Sequence, residues 1–497
     1  MSGTDGRILL RPRVLARNAT DDGNPVLYRR AGKAVRIGLD DDDALAIQPI
    51  TMSVMLHRLS EVAAWYITNS KGEVYDHHPA KQVAGYLTDA LPQQFPVIKG
   101  IKHAPEMLPG PELVDATGYD RRSRSYHVIP AGLREMPIRE AMETMEYVFG
   151  EFPFDAGVNP ESPDWCNWIG FLITCLTRSA YPTAPMCLIG KPMNRIGATL
   201  LGKLGSIIAT GTTPPFAMIR GDKKDPAEAG KALMSALTAA NNRGITMLDN
   251  LSGTVDSASL AAFLTTDAWN DRRLGFNDQH ILLPSRYHTL LATTNNGQFT
   301  EELVKRTYFV CLDAKVPEPE NRTFRIPNIE RYVSAHRDEL LSCVWSLITA
   351  WAYTDAPLLT NQRGMGGYEE WRDTVGGILH NSGLTGFLGN RQSFESKSRS
   401  DSEADFVAAW LAAQGEATVT TGQLLAIAIG EAGEAALLDI GGADDKAKAT
   451  SLGRKLGKMT GKVYRIDDRS VRVEAAKRSS RSKQWKLVIG QQLAAAK

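Results

Sequence analysis

The chain has 497 residues, of which 43% are hydrophobic and 23% charged, the proportions of an ordinary folded protein. A single hydrophobic core does not extend over such a length, so we expect about three or four domains. Lysine and arginine number 57 against 56 acidic residues, and the net charge of +1 indicates no partner for the chain as a whole. The composition excludes a disordered or a uniformly basic protein.

Cysteine usage and hydropathy bear on the compartment. The five cysteines lie in or beside apolar runs without a C-x-x-C pair, which argues against a disulfide scaffold and against zinc. The first residues lack the apolar segment of a signal peptide, and no apolar run approaches the roughly 20 residues that span a bilayer. We therefore expect a cytoplasmic protein with no membrane partner.

Residues 1–133 are predicted to form an N-terminal α+β domain. The alternating segment 26–37 turns at Ala31 and Gly32, which is typical of a β-hairpin. A helix is predicted over 83–90 and a basic hairpin over 118–128.

Residues 134–333 are predicted to form the central domain. Pro137 begins a helix with apolar residues at helical spacing. Short apolar segments then alternate with helical ones, which predicts an α/β domain: a mostly parallel sheet with helices on both faces. The predicted strands lie at 186–191, 215–219, 244–250, 287–296 and 307–313.

The remainder divides into three parts. Residues 334–390 are predicted to be a helical extension, and the serine-rich, charged segment 391–403 has the composition of a linker. Residues 404–497 contain helical patterns followed by strand-like segments around a basic turn. That order predicts a winged-helix domain, a variant of the helix-turn-helix DNA reader.

The segment from the strand at 186–191 into the following helix resembles a phosphate-binding P-loop. In the pattern G-x-x-x-x-G-K-[ST], Gly197 and Thr199 occupy the second glycine and the hydroxyl position. Pro192 stands at the first glycine, and Ala198 stands where the pattern has lysine. Backbone N–H groups at such a helix start form an anion site, so we predict that Pro192, Gly197, Ala198 and Thr199 surround a nucleotide phosphate.

Polar residues end the next two apolar strands. Asp249 is placed as the acid that holds Mg²⁺ together with the hydroxyl of Thr199. Asn295 or Asn296 suits the polar residue that orients the attacking water. The carboxyl ends of parallel strands converge at ligand sites, so the order of these residues predicts one site for ATP and Mg²⁺.

These motifs resemble the AAA+-like ATPases of phages, prophages and plasmids, helicase-type proteins similar to superfamily 3 and to the MCM-like helicases of mobile elements. The resemblance runs from about residue 137 to 325. The segments that carry it are 150–154, 198–201, 207–211, 247–250, 271–275, 292–296 and 319–325.

This resemblance implies a hexameric ring that binds ATP between subunits, moves along DNA and meets replication partner proteins. By position it makes Arg272 the first candidate for an arginine finger and Arg306 the second. An arginine finger reaches into the site from the neighbouring subunit and raises the rate of hydrolysis by about 10³–10⁵-fold. The alternative for both residues is an ordinary surface ion pair.

Two departures from the family pattern weaken the predicted catalysis. Ala198 cannot neutralise phosphate charge as lysine does; Lys203, one turn after Thr199, or the flanking Lys191 or Arg195 are candidates to replace it in part. Asn250 stands where many such proteins have a catalytic glutamate, and an amide cannot accept a proton from water as a carboxylate does.

The C-terminal residues 446–497 hold fifteen lysines and arginines against three acids, a net charge of +12. Since the whole chain carries +1, the preceding residues carry −11. This concentration of positive charge predicts a nucleic-acid partner. The alternative is a basic surface that contacts other proteins. The helix at 447–459 is predicted to enter the major groove and the following turn to contact phosphates. The predicted DNA contacts are Arg454, Lys455, Lys458, Lys477, Arg478, Arg481 and Lys483.

Three functions fit these features. The first is a DNA-replication protein of a mobile element, acting as a helicase or as a helicase loader or initiator with a degenerate nucleotide site. The second is a catalytically weak or inactive AAA+-like DNA-binding protein of assembly or regulation. The third is a winged-helix regulator whose central domain only oligomerises.

Overall fold

The structure is a computed structural model with a parallel β-sheet at the centre of its larger part. It describes residues 23–41, 43–62, 64–89, 94–191, 197–214, 216–217, 226–239, 244–251, 254–272, 280–295, 298–315, 322–360, 364–398, 402–430, 438, 440–441, 444–466, 469–479 and 482–490. The chain divides into a larger unit, Met1–Gly297 with Glu302–Phe394, and a smaller unit, Gln298–Glu301 with Glu395–Lys497.

The N-terminal elements are short. They are β1 (Leu27–Arg30), β2 (Lys33–Leu39), β3 (Leu45–Pro49), α1 (Met52–Val62), β4 (Trp65–Thr68), β5 (Val74–His77), α2 (Lys81–Asp89), β6 (Gly100–Lys102), β7 (Glu106–Leu108), β8 (Glu112–Val114), β9 (Gly118–Asp120) and β10 (Ser125–His127). Ala31 and Gly32 both have positive φ at the predicted β1–β2 turn, as a two-residue hairpin loop requires.

Longer helices alternate with strands in the central part. These elements are α3 (Ile138–Phe149), α4 (Pro163–Thr177), β11 (Met186–Lys191), α5 (Ala198–Thr210), β12 (Phe216–Ala217), α6 (Pro226–Ala239), β13 (Ile245–Leu251), β14 (Thr254–Val255), α7 (Ala258–Thr265), β15 (Ala268–Arg272), β16 (His280–Pro284), β17 (Thr289–Asn295), β18 (Gln298–Phe299), α8 (Glu301–Val304) and β19 (Thr307–Cys311).

The rest of the chain consists of helices and then of a segment rich in strands. Its elements are α9 (Ile329–Ala335), α10 (Arg337–Ala352), α11 (Glu369–Asn381), α12 (Arg391–Ser398), α13 (Ser402–Gln414), β20 (Val419–Thr420), α14 (Thr421–Ile429), α15 (Asp445–Met459), β21 (Val463–Ile466), β22 (Arg469–Ser479) and β23 (Ser482–Gly490). Helix α12 begins inside the segment predicted to be a linker and crosses the boundary between the units.

Within the described residues, five strands form the central sheet in the order β12-β13-β17-β11-β19, and every pairing is parallel. Strand β11 lies between two neighbours, and its residues from Met186 to Ile189 are fully buried, as expected for an unbroken apolar segment in a parallel sheet. The prediction of an α/β fold with a parallel sheet is confirmed.

Helix α4 is apolar around its whole circumference, which is typical of a buried helix. Its first turn carries Asp164, whose Oδ1 accepts hydrogen bonds from the Cys311 N–H and from Asn390 Nδ2, both at 2.8 Å. Burial raises the pKa of Asp164, and these hydrogen bonds act in the opposite direction. The carboxyl group thereby ties α4 to the carboxyl end of β19, next to β11.

Helix α5 packs closely on the sheet through glycines. A Cβ at Gly202 would lie 2.6 Å from a methyl carbon of Leu291 on β17 and 3.0 Å from Met247 Cε on β13. Gly211 ends the helix with φ +77° and donates its N–H to the Ile207 carbonyl, as a left-handed C-terminal glycine does. The close contact of Gly202 with the sheet fixes the position of α5, and therefore also the position of its N-terminal end at Gly197.

The smaller unit has its own core around Trp410, Trp485 and the buried face of α15. Strands β20, β23, β22 and β21 form an antiparallel sheet in that order. The Trp485 side chain is buried and donates its Nε1–H to Thr421 Oγ1 at 3.0 Å, so this ring packs the sheet against α14. Among the described helices, none combines the length and apolar character that crossing a bilayer requires.

We predict that Gly202→Ala destabilises the protein by about 1–3 kcal/mol, because the added methyl group meets two sheet side chains. Gly85→Ala is the matched control. It lies in α2, its Cβ would contact only the flexible end of Met52 at 3.4 Å, and alanine favours a helix by about 0.5–1 kcal/mol. Thermal unfolding of both variants checks the prediction; an equal or higher Tm for Gly202→Ala would contradict it.

His288 lies just before β17, and we predict that it makes the stability of the fold depend on pH. The side chain is buried against Phe263, and burial, with the charges of Arg178 and Lys102, lowers its pKa to about 4. Because the unfolded chain takes up the proton near pH 6.5, stability is complete above that pH and falls as pH drops towards 4, by roughly 3 kcal/mol.

His288→Phe removes the titrating group, and its loss of stability between pH 6.5 and 4 should be smaller by about this amount. Chemical unfolding at both pH values measures it. His380→Phe, at an exposed position on α11, is the control and should keep the wild-type pH dependence. Equal pH dependence for His288→Phe and the wild type would refute the assignment.

Candidate nucleotide-binding site

The candidate site lies at the carboxyl edge of the central sheet. Lys191, the last residue of β11, pairs with Asn295, the last residue of β17. On the other side of β17, Leu248 of β13 pairs with Ala292, so β13 ends at the same edge. The strands β11, β13 and β17 therefore end at one edge of the sheet.

Helix α5 begins at this edge. Gly197 precedes it with φ +90°, a conformation that a side chain disfavours. A Cβ at this position would also lie 3.2 Å from Phe152 Cε1, which belongs to one of the segments that carry the family resemblance. The first N–H groups of α5 thus open beside the strand ends, where the helix dipole favours an anion.

Thr199 and Asp249 are in direct contact. The Thr199 hydroxyl donates to Asp249 Oδ1 at 2.8 Å, and both side chains are half-buried. Fifty residues separate them in the chain, so the fold brings them together. A carboxylate and a hydroxyl are oxygen ligands of the kind that Mg²⁺ takes, directly or through water. This pair fits the metal position of a nucleotide site.

Thr293, which sequence reasoning did not single out, completes this arrangement. It lies on β17, between β13, which carries Asp249, and β11, which precedes α5. Its hydroxyl donates to Asp249 Oδ1 at 2.6 Å. One signal in the sequence could have indicated it: Thr293 stands two residues before the candidate Asn295, and alternate residues of a predicted strand are expected on one face.

Ala198 supplies no cation, and its side chain is part of the buried core. Lys203 is half-buried on α5, one turn beyond Thr199. Pro192 and Arg195 lie outside the described residues, as does the side chain of Lys191. A cation in place of the missing lysine therefore stays a prediction.

The asparagines occupy different positions. Asn250 follows Asp249 with φ +56°, in the left-handed region that asparagine tolerates better than most residues, and it is exposed. Asn295 ends β17 at the site edge, and its side chain is outside the described residues. Asn296 lies wholly outside them. Their role in orienting water stays a prediction.

Of the two arginine-finger candidates, the structure describes the side chain of Arg306 only. Arg272 ends β15, and its side chain is outside the described residues. Arg306 immediately precedes β19, at the amino edge of the sheet, where its carbonyl accepts from the Met186 N–H. Its guanidinium pairs with Glu302 at 2.8 Å, the ion-pair alternative that the sequence left open. Arg306 therefore lies at the edge of the sheet opposite to Thr199 and Asp249.

In the smaller unit, α15 separates apolar from basic residues. Leu452, Leu456 and Met459 are buried, whereas Arg454 and Lys458 are exposed four residues apart on one face. Lys455 is half-buried and Lys483 exposed. Arg481 and the side chains of Lys477 and Arg478 lie outside the described residues.

No family model and no curated protein matches the chain. Among solved structures, it is similar to the A-form apo structure of the NrS-1 C-terminal region 305–718, with 9% identity over 94% of this chain and 97% of that chain, TM-score 0.40. It is also similar to SCCmec type IV Cch, described as an active helicase, with 12% identity over 91% and 84%, TM-score 0.35. Both TM-scores are below 0.5, so these similarities carry no argument about function. The functional proposal is therefore based on the geometry of the site.

Proposed function

We propose that the larger unit binds ATP and Mg²⁺ at the carboxyl edge of its sheet and that the smaller unit binds DNA. The observation that carries this proposal is the 2.8 Å hydrogen bond from Thr199 Oγ1 to Asp249 Oδ1 beside the start of α5. A helix start offers N–H groups to a phosphate, and the adjacent carboxylate offers an oxygen to the metal that accompanies it.

The chain is then an AAA+-like P-loop protein with a C-terminal winged helix, active in DNA replication of a mobile element as a helicase, helicase loader or initiator. ATP and Mg²⁺ are its cofactors, and a homo-oligomeric ring, a hexamer, is its working state. Arg272 or Arg306 acts in the site of the neighbouring subunit. The parallel sheet order and the winged-helix element order support this assignment.

A second function is favoured by Ala198 and Asn250. Without a lysine at 198 or a carboxylate at 250, the site keeps a metal acid but lacks one cation and one proton acceptor. The alternative is an AAA+-like DNA-binding protein of assembly or regulation that hydrolyses little ATP. ATP hydrolysis by the full chain with and without DNA distinguishes the two, because only the first function requires stimulated turnover.

We predict that Ala198→Lys tightens ATP binding in the presence of Mg²⁺ by about ten- to a hundredfold. Hydrogen bonds to charged groups contribute about 1.5–3 kcal/mol, and about 1.4 kcal/mol is tenfold in affinity. Ala198→Met has a side chain of similar length without charge and controls for crowding of the core. Calorimetric titration compares both with the wild type; no Mg²⁺-dependent ATP binding by the wild type or Ala198→Lys would overturn the proposed site.

We predict that Arg454→Ala with Lys458→Ala weakens duplex binding by the full chain and lowers the slope of log affinity against log salt by about two, one for each phosphate contact. The side chains of Arg454 and Lys458 both lie on the exposed face of α15. Arg139→Ala removes an exposed arginine of the larger unit that pairs with Glu143, and it serves as the control. An unchanged slope in the double variant would remove α15 from the DNA interface.

A further inference from the structure

We propose that Thr293 is a positioning residue that holds Asp249 in the orientation needed to bind the magnesium ion of the nucleotide. This inference rests on the proposed nucleotide site and assigns a role to Thr293, to which the family resemblance gives none. The single hydrogen bond between Thr199 and Asp249 does not by itself fix the orientation of the Asp249 carboxylate.

Thr293 lies where it can reach both sides of the site. Strand β17 runs between β13, which carries Asp249, and β11, which leads towards α5. The Thr293 side chain is fully buried. Its Oγ1 lies 2.6 Å from Asp249 Oδ1 and 2.8 Å from the backbone nitrogen of Asn250. One hydroxyl thus contacts two consecutive residues of the neighbouring strand.

The direction of these hydrogen bonds follows from the available protons. The Asn250 N–H can only donate, so Thr293 Oγ1 accepts from it. The single hydroxyl proton of Thr293 is then given to Asp249 Oδ1. Thr199 gives its own hydroxyl proton to the same oxygen at 2.8 Å. Two donors on Oδ1 fix the rotation of the carboxylate.

Among the described residues, the other carboxylate oxygen of Asp249, Oδ2, accepts no hydrogen bond and is available to a ligand. Within the described part of the chain, the hydrogen bonds to Asp249 all end on Oδ1. A carboxylate with one oxygen held by the protein presents the second oxygen in a fixed direction. Such pre-orientation lowers the cost of ordering the side chain when a hydrated Mg²⁺ arrives.

The backbone of β13 makes this contact necessary. Its pairing with β17 is regular up to Leu248 and shifts before Leu251, so Asp249 and Asn250 lie in a bulge. Asn250 adopts φ +56° there, and its N–H is turned out of the strand ladder towards Thr293. Bulges occur next to active sites because they redirect side chains, and here the redirected side chain is Asp249.

The experiment compares Thr293→Val, Thr293→Ala and Thr293→Ser in the full chain. Valine and alanine remove the hydroxyl with and without retaining side-chain volume, whereas serine keeps the hydroxyl. Thr246→Val is the matched control, because Thr246 is a fully buried threonine on β13 whose hydroxyl has no hydrogen-bond partner among the described residues. ATP binding is titrated at a series of MgCl₂ concentrations and in EDTA.

We expect Thr293→Val and Thr293→Ala to require about tenfold more Mg²⁺ for half-maximal stimulation of ATP binding, with binding in EDTA unchanged. Thr293→Ser and Thr246→Val should match the wild type. A merely structural threonine would lower Tm without moving the Mg²⁺ dependence. If the valine variant fails to fold, the alanine variant carries the comparison.

The outcomes separate the two proposals. A wild-type chain that binds ATP equally in Mg²⁺ and EDTA would overturn the proposed site, and the role of Thr293 with it. A wild-type chain that responds to Mg²⁺, together with hydroxyl-free variants that respond at the same concentration, would overturn the role of Thr293 alone. A shift in Thr246→Val as large as that in Thr293→Val would also overturn it, because the effect would then follow from any buried threonine in the sheet.

Discussion

One carboxylate oxygen, Asp249 Oδ1, joins the separate parts of the candidate site. It accepts from Thr199 at the start of α5 and from Thr293 on β17, while Asp249 itself lies on β13. The parallel arrangement makes this meeting possible, because the strands end at one edge of the sheet. A shift of one residue in the pairing of β13 with β17 would place the side chains of Asp249 and Thr293 on opposite faces of the sheet.

The rest of the larger unit holds that edge in place. Strand β11 is buried between β17 and β19, and α5 lies close to β13 and β17 because Gly202 has no side chain to separate them. Asp164 fixes α4 to the end of β19. Gly197 and Asn250, beside the candidate site, are two of several described residues with positive φ. Local departures from regular structure are expected where a protein binds rather than where it only packs.

In the proposed site, Ala198 and Asn250 favour nucleotide binding over turnover. The start of α5 provides about half an elementary charge, less than the full charge of the lysine that Ala198 replaces. A magnesium ion held near Asp249 is then the largest positive charge expected close to the phosphates. Asn250 can orient a water molecule but takes no proton from it. In the proposed site, nucleotide binding should therefore depend on the metal more strongly than in a site that has the lysine.

The sequence by itself determined the local elements and the order of the candidate residues. Apolar segments bounded by glycine, proline or polar residues predicted β11, β13, β17 and β19 within a few positions, because burial between parallel neighbours requires unbroken apolar strands. It placed Asp249 and Asn295 at strand ends. Only the tertiary structure decided which of these groups touch. The bulge at Asn250, the burial of Ala198 and the Thr293 hydrogen bonds depend on strand order and register. These are set by long-range pairing, which the local periodicity of a sequence does not encode.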